Sequence, residues 1–135
     1  MADGAFAFEL ASPEALVYEA DVDMVVVPGS EGDFGVLVEH APFISGVRPG
    51  VVEVYRGERV VDRLFVADGF AEVTGSRCTV LAREATPVER IERAAAEARL
   101  AAAEADLRDA DSDPERAQAE REVAIASAML AAIAG

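Results

Sequence analysis

Residues 25–52 read VVVPGSEGDFGVLVEHAPFISGVRPGVV, and their punctuation decides the class of the fold. The apolar run Val25–Val27 stops at Pro28-Gly29, because proline removes a backbone donor where a ladder must end. Glycines at 29, 32 and 35 relieve the Cβ clash at positive φ, so Gly29–Gly35 is predicted to be a tight, shaped loop. A short apolar strand, Val36–Val38, follows it. After His40-Ala41-Pro42 comes a second short strand, Phe43–Val47, and then a turn at Arg48-Pro49-Gly50. Glu31 and Asp33 thus sit on a polar loop carried by a β scaffold, a place suited to touching a partner.

The pattern continues outward in both directions. Phe6, Phe8 and Leu10 alternate with small or polar neighbours, the period of a half-buried strand. A turn at Ala11–Glu14, a strand over Leu16–Ala20 and an alternating run over Asp21–Val27 lead into the central stretch. After it, Val51–Tyr55 and Val60–Val66 flank Arg56-Gly57-Glu58 as a hairpin. Asp68-Gly69 reads as a turn, Phe70–Val73 and Cys78–Ala82 as the last strands. Roughly eight to ten short strands at regular spacing predict an antiparallel β-sandwich or flattened barrel over residues 1–85.

Composition changes at Thr86-Pro87. Ala, Glu and Arg dominate from there, and no glycine recurs before Gly135. Residues 86–135 are predicted to form an antiparallel two-helix hairpin, so the class is all-β plus α. Thr86 as N-cap, Pro87 in the first turn and Glu89 three residues on compose a capping box. Val88, Ile91, Ala95, Ala98, Ala102 and Ala105 trace the expected apolar stripe of the first helix. Asp113 and Pro114 are expected to open the second, with Val123, Ala124, Ala128 and Ala131 or Ala132 inward. A seam of alanine buries little area per residue, so the hairpin is predicted to be marginal on its own.

The chain has 135 residues, a net charge of −14, twelve arginines and no lysine. Phosphate contacts need a basic patch, so nucleic acid is excluded as a partner. Bare anionic lipid should repel such a chain. The longest apolar runs fall far short of the ~20 residues a spanning helix needs, which predicts no direct membrane insertion. The first ten residues, MADGAFAFEL, lack the basic flank and apolar stretch of a signal peptide. The expectation is a cytosolic protein, held at a membrane only through another protein. The single cysteine, Cys78, excludes an internal disulfide and is expected to pack in a strand.

Candidate chemistry is sparse. His40 is the one histidine, and neither a catalytic partner nor a ligand set accompanies it in the sequence. The glycine-spaced loop lacks the Gly-Lys-Ser/Thr ending of a phosphate cradle, and Glu31 and Asp33 would repel phosphate. Asp109, Asp111, Asp113 and Glu120 have the spacing of a calcium loop, but Pro114 stands where the flexible glycine belongs. A capped acidic turn accounts for them. The expectation is therefore no catalytic residue, no metal and no cofactor.

Taken together, Pro28-Gly29-Ser30-Glu31-Gly32-Asp33-Phe34-Gly35, His40-Ala41-Pro42, Arg48-Pro49-Gly50, Phe65–Val73 and Thr79–Ala82 resemble the epsilon subunits of bacterial F-type ATP synthases. The resemblance covers essentially the whole chain. It implies a non-catalytic part of the central rotor stalk, bound to the gamma subunit and seated on the ring of membrane c-subunits. It implies that Glu31, Asp33 and His40 face that ring, and that the subunit couples proton flow to ATP synthesis. The location implied is the cytoplasmic side of a bacterial inner membrane, peripherally attached. In many relatives the hairpin extends into the catalytic head and blocks hydrolysis; Arg116 and Arg121 are the residues here that correspond to such a contact. With only those two arginines on the second helix, weak inhibition is predicted. Some relatives bind ATP through Ile or Leu, Asp, two variable residues, Arg and Ala. The corresponding run here begins Ile91-Glu92, and Ala95 replaces the arginine that would pair with phosphate. Two other readings stand beside this one. A soluble regulatory module could sense a nucleotide through that same run, whose missing arginine is the feature against it. An enzyme built on His40 and Glu39 lacks a second catalytic group.

Overall fold

A computed structural model describes residues 5–135 of the chain. They divide into two compact units, the first ending at Val88 and the second Glu89–Gly135. The first holds eight strands: β1 (Phe6–Ala11), β2 (Leu16–Val22), β3 (Met24–Gly29), β4 (Gly32–Leu37), β5 (Phe43–Val47), β6 (Gly50–Arg56), β7 (Arg59–Val73) and β8 (Arg77–Pro87). They form a sandwich-like sheet in the order β2-β1-β8-β7-β5-β3-β4, with β6 bonded to both β3 and β7. Alternation along each strand sends one face inward. Phe8, Leu10, Val22, Val25, Val27, Val52, Val54, Leu64, Val66 and Val80 are all but inaccessible and pack together. Cys78 joins them, and burial pushes its thiol up to about 12.

The strands differ from expectation in three ways. The eight strands fall within the expected number, but β1 runs parallel to β8, so the sandwich is not wholly antiparallel. Second, Asp68-Gly69 is no turn. It lies inside β7, a single strand of 15 residues. β5 and β6 pair with one side of β7 and β8 with the other, so the ladder runs past Asp68 on both sides. Asp68 adopts φ 58, a conformation that aspartate tolerates better than most residues. A Cβ on Gly69 would collide with the Leu81 carbonyl oxygen and lie 2.7 Å from Ala82 Cα. Asp-Gly here lets β8 approach closely. Third, the expected Gly29–Gly35 loop is mostly strand: β4 begins at Gly32, and only Ser30 and Glu31 form the turn.

A short 3-10 turn (Val88–Arg90) spans the boundary, and the second unit holds two helices, α1 (Arg93–Asp109) and α2 (Asp113–Ala134). Thr86 and Pro87 do not cap a helix. They pair with Phe65 and Leu64, so the ladder claims them and α1 starts six residues later than expected. Glu92 is its N-cap residue, with no side-chain bond. On α2 the cap is Ser112 rather than Asp113: its hydroxyl accepts from the Glu115 amide at 3.2 Å. Glu115 in turn accepts from the Asp111 amide.

The three-residue link makes the helices antiparallel neighbours. Their seam is Ala96 and Ala103 on α1, and Ala119, Ile125, Ala126 and Ala132 on α2. Same-face partners recur every seven residues, the spacing of a coiled-coil seam. Ala95, Ala98 and Ala102, expected inside, are exposed, as is Ala124; of Ala131 and Ala132, the second is the buried one. Alanine surrounds both helices, so apolar contrast between faces is weak. A polar pair supplies the direction: half-buried Arg99 donates to Glu122 through Nε at 3.1 Å and a second nitrogen at 3.3 Å. Such forked pairing fixes geometry as well as adding energy.

Candidate partner-contact site

The β3–β4 hairpin ends in the turn Ser30-Glu31, with Gly29 opposite Gly32. Gly32 has φ 127, which suits glycine alone, and a Cβ on Gly29 would lie 2.6 Å from the Gly32 oxygen. The turn is therefore as tight as the glycine spacing predicts, though shorter. It is also tied to a second turn. The Ser30 amide donates to Gly46 O, and the Arg48 amide donates to Pro28 O, both at 2.9 Å. The Arg48 guanidinium donates to Gly29 O at 2.6 Å and to Asp33 Oδ1 at 2.5 Å. Residues 28–33 and 46–50 thus form one interlocked edge of the sandwich.

Of the three expected contact residues, Glu31 is exposed at the apex of the turn. Asp33 is exposed too, but its carboxylate is engaged by Arg48. His40 lies on the segment between β4 and β5, beyond the other end of β4. Its Nδ1–H donates to Ala41 O at 3.1 Å. Its ring rests on Phe43 at 5.2 Å, and Phe43 meets Phe34 edge-on at 5.0 Å. The path from His40 to the hairpin runs through these rings. Arg48 was missed by sequence reasoning as part of this edge: it is 15 residues from Asp33, and only the pairing of Gly29 with Val47 brings it there.

A second surface was also missed. Phe70 and Leu81 are cross-strand partners on the outer face, and Gly46 opposite Phe70 puts Ile44 on the same face. All three are large, apolar and well exposed, Ile44 at 69%. Beside them, Ala11, Pro13, Gly69, Phe70, Leu81 and Arg83 line an apolar groove of about 340 Å³. The signal was alternation within β7, hidden by reading Asp68-Gly69 as a break.

The helical candidates are dispersed. Ile91 is half-buried just before α1, Glu92 is the exposed cap residue, and Ala95 is exposed one turn on. Arg116 and Arg121 are both exposed on α2. At about 100° per residue their directions differ by about 140°, so they do not share a face. Arg116 donates to Asp113 at 3.0 Å and Arg121 to Gln118 at 2.7 Å. Among the described residues no cluster of His, Cys, Asp and Glu could hold a metal ion. Nor, among them, is any helix long and apolar enough to cross a membrane.

The β-sandwich domain of the ATP synthase delta/epsilon chain matches residues 5–88. An ATP synthase epsilon chain from Rhodospirillum rubrum is 53% identical over 128 residues, covering 95% of this chain and 96% of its own. One from Paramagnetospirillum magneticum is 54% identical over 127 residues, covering 94% and 96%. The chain belongs to the ATP synthase epsilon-chain family. It is thus a non-catalytic subunit of that complex. The domain match ends where the first unit ends, so the family's sandwich spans the described residues of that unit. The two helices lie beyond it and are carried by the full-length likeness to other epsilon chains. The fold is also that of a chain in the Euglena gracilis mitochondrial ATP synthase, described as OSCP/F1/c-ring. The TM-score is 0.82 at 24% identity, covering 98% of this chain and 86% of that one. A chain of the Tetrahymena thermophila mitochondrial enzyme's central stalk and c-ring has a TM-score of 0.66 at 11% identity, covering 94% and 95%.

Proposed function

We propose that this epsilon chain is a coupling part of the rotor stalk in a proton-translocating ATP synthase. In this reading its β unit is seated on the c-ring through the Ser30-Glu31 edge and links proton flow to ATP synthesis in the catalytic head. The observation that carries it is the exposed Glu31 at the apex of a turn held by two backbone bonds and by Arg48. A fixed negative charge on a rigid tip can pair with a basic group on a partner's polar loop. Such pairs orient docking more than they add affinity.

The gamma subunit is the proposed occupant of the outer row Ile44, Phe70 and Leu81. Aromatic and aliphatic area of this kind is what the dry core of an interface uses. His40 is proposed to border the ring-facing edge through its packing on Phe43. The hairpin is a weak regulator in this reading, because Arg116 and Arg121 point in different directions and each already has a local partner. Ile91 and Glu92 carry no nucleotide function without an arginine at position 95. The subunit is peripheral, on the cytoplasmic side of the bacterial inner membrane, held there by its neighbours.

The test is Glu31→Arg in the full-length chain, returned to membranes stripped of the native subunit. Reversing the charge should weaken binding to the membrane sector and lower proton pumping per ATP hydrolysed. Binding and pumping equal to wild type would remove Glu31 from the contact.

A further inference from the structure

The ring-contact reading leaves one question that the geometry answers: what holds Glu31 still. We propose that Arg48 is the positioning residue of this edge, and that Asp33 acts through Arg48 rather than by meeting the partner. This rests on the reading of Glu31 given above. Arg48 belongs to the turn between β5 and β6, yet three of its donors reach the β3–β4 hairpin. Its amide bonds Pro28 O, one guanidinium nitrogen bonds Gly29 O, and another bonds Asp33. Those acceptors flank Ser30-Glu31 on both sides of the turn. A planar guanidinium presents donors in a fixed fork, so two acceptors held by it are also held relative to each other. Apart from the Ser30 amide's bond to Gly46 O, the hairpin would otherwise be a two-residue turn on an edge strand, since β4 ends the sheet path.

The charge balance follows from the same geometry. Arg48 neutralises Asp33, and Glu31 remains as the charge at the apex. The Arg48–Asp33 pair is largely exposed, with side chains 45% and 61% accessible. Exposed pairs contribute little to global stability. Its role is therefore local order, and variants that break it should fold normally. Lysine in place of Arg48 keeps the charge but lacks the fork, so it should hold only one of the two acceptors at a time.

The experiment uses the full chain in six forms: wild type, Glu31→Gln, Asp33→Asn, Arg48→Gln, Arg48→Lys and the double variant Asp33→Asn/Arg48→Gln. Amide exchange is measured on each protein alone, and affinity is measured for membranes of the parent complex stripped of this subunit. In Arg48→Gln, exchange at Ser30 and Gly32 should quicken about tenfold, the equivalent of about 1.4 kcal/mol. Exchange at Val25, Val54 and Val80 should not change. Arg48→Gln and Asp33→Asn should each weaken membrane binding, the double variant no more than either, with Arg48→Lys intermediate. Unchanged exchange in Arg48→Gln would overturn the clasp, and would leave the contact reading intact if Glu31→Gln still weakened binding. Faster exchange with full affinity in Arg48→Gln, while Glu31→Gln bound weakly, would overturn the positioning role. Additive losses for Asp33 and Arg48 would show that Asp33 meets the partner itself. Full affinity in every variant would defeat the contact reading, and the positioning role with it.

Discussion

Replacing Tyr18 by phenylalanine should cost the β unit about 1–1.5 kcal/mol, and the cost should disappear at high pH. Tyr18 lies on β2, at one end of the sheet path, and Asp62 lies on β7, which is not its neighbour. The Tyr18 hydroxyl donates to Asp62 Oδ2 at 2.6 Å, and its ring leans on Phe8 at 5.9 Å. The bond therefore ties an outer strand to the middle of the sandwich. A hydrogen bond to a charged group is worth about 1.5–3 kcal/mol. Both groups are partly exposed, and solvent screening reduces that to about 1–1.5 kcal/mol. Burial, and then the bond to Asp62, push the hydroxyl up to about 12 from 10.0. A group whose folded value is raised stabilises fully below its unfolded value, and that contribution is lost as pH rises through the folded one. The gap between wild type and Tyr18→Phe should thus be constant near neutrality and shrink between pH 10 and 12. Urea unfolding of Tyr18→Phe, Asp62→Asn and the double variant gives the coupling directly. A Tyr18→Phe protein within about 0.5 kcal/mol of wild type, the range of neutral surface changes, with no coupling to Asp62, would refute the tether.

Three further outcomes follow from the packing. Gly69→Ala would drive a Cβ into the Leu81 and Ala82 backbone and should cost at least about 3 kcal/mol or abolish folding; wild-type stability in urea would contradict the β7–β8 register. Ser112→Ala removes the cap of α2 and should cost about 1 kcal/mol, read as faster amide exchange at Glu115 and Arg116; unchanged exchange there would argue against the cap. Cys78 is buried, with its thiol raised to about 12, so a disulfide reagent at pH 8 should label it only as fast as the protein unfolds; rapid labelling of native protein would contradict its place in the core.

Where local chemistry and long-range pairing agree, the fold is legible in the sequence. Pro28-Gly29 and Arg48-Pro49-Gly50 mark real strand ends, and Phe6, Phe8 and Leu10 alternate as β1 does. Where a neighbouring strand outweighs a local signal, the reading fails. Asp68-Gly69 and Thr86-Pro87 carry strong turn and cap chemistry, and both are absorbed into ladders whose partners are remote in sequence. The helix faces fail for a different reason: with alanine on every side, contrast is too weak to set a direction, and the Arg99–Glu122 pair that does so joins residues 23 apart. The candidate site divides along the same line. Glu31 is visible as a polar residue among glycines, whereas the grip of Arg48 on Gly29 and Asp33 exists only once β3 and β5 are side by side.

The most direct test of the coupling role is ATP-driven proton pumping, measured with ATP hydrolysis in the same membranes, before and after the full-length chain is added back to a complex lacking it. The account predicts that pumping per ATP is low without the chain and recovers with it, and that Glu31→Arg restores it less than wild type does. Pumping per ATP that is the same with and without the chain would contradict it.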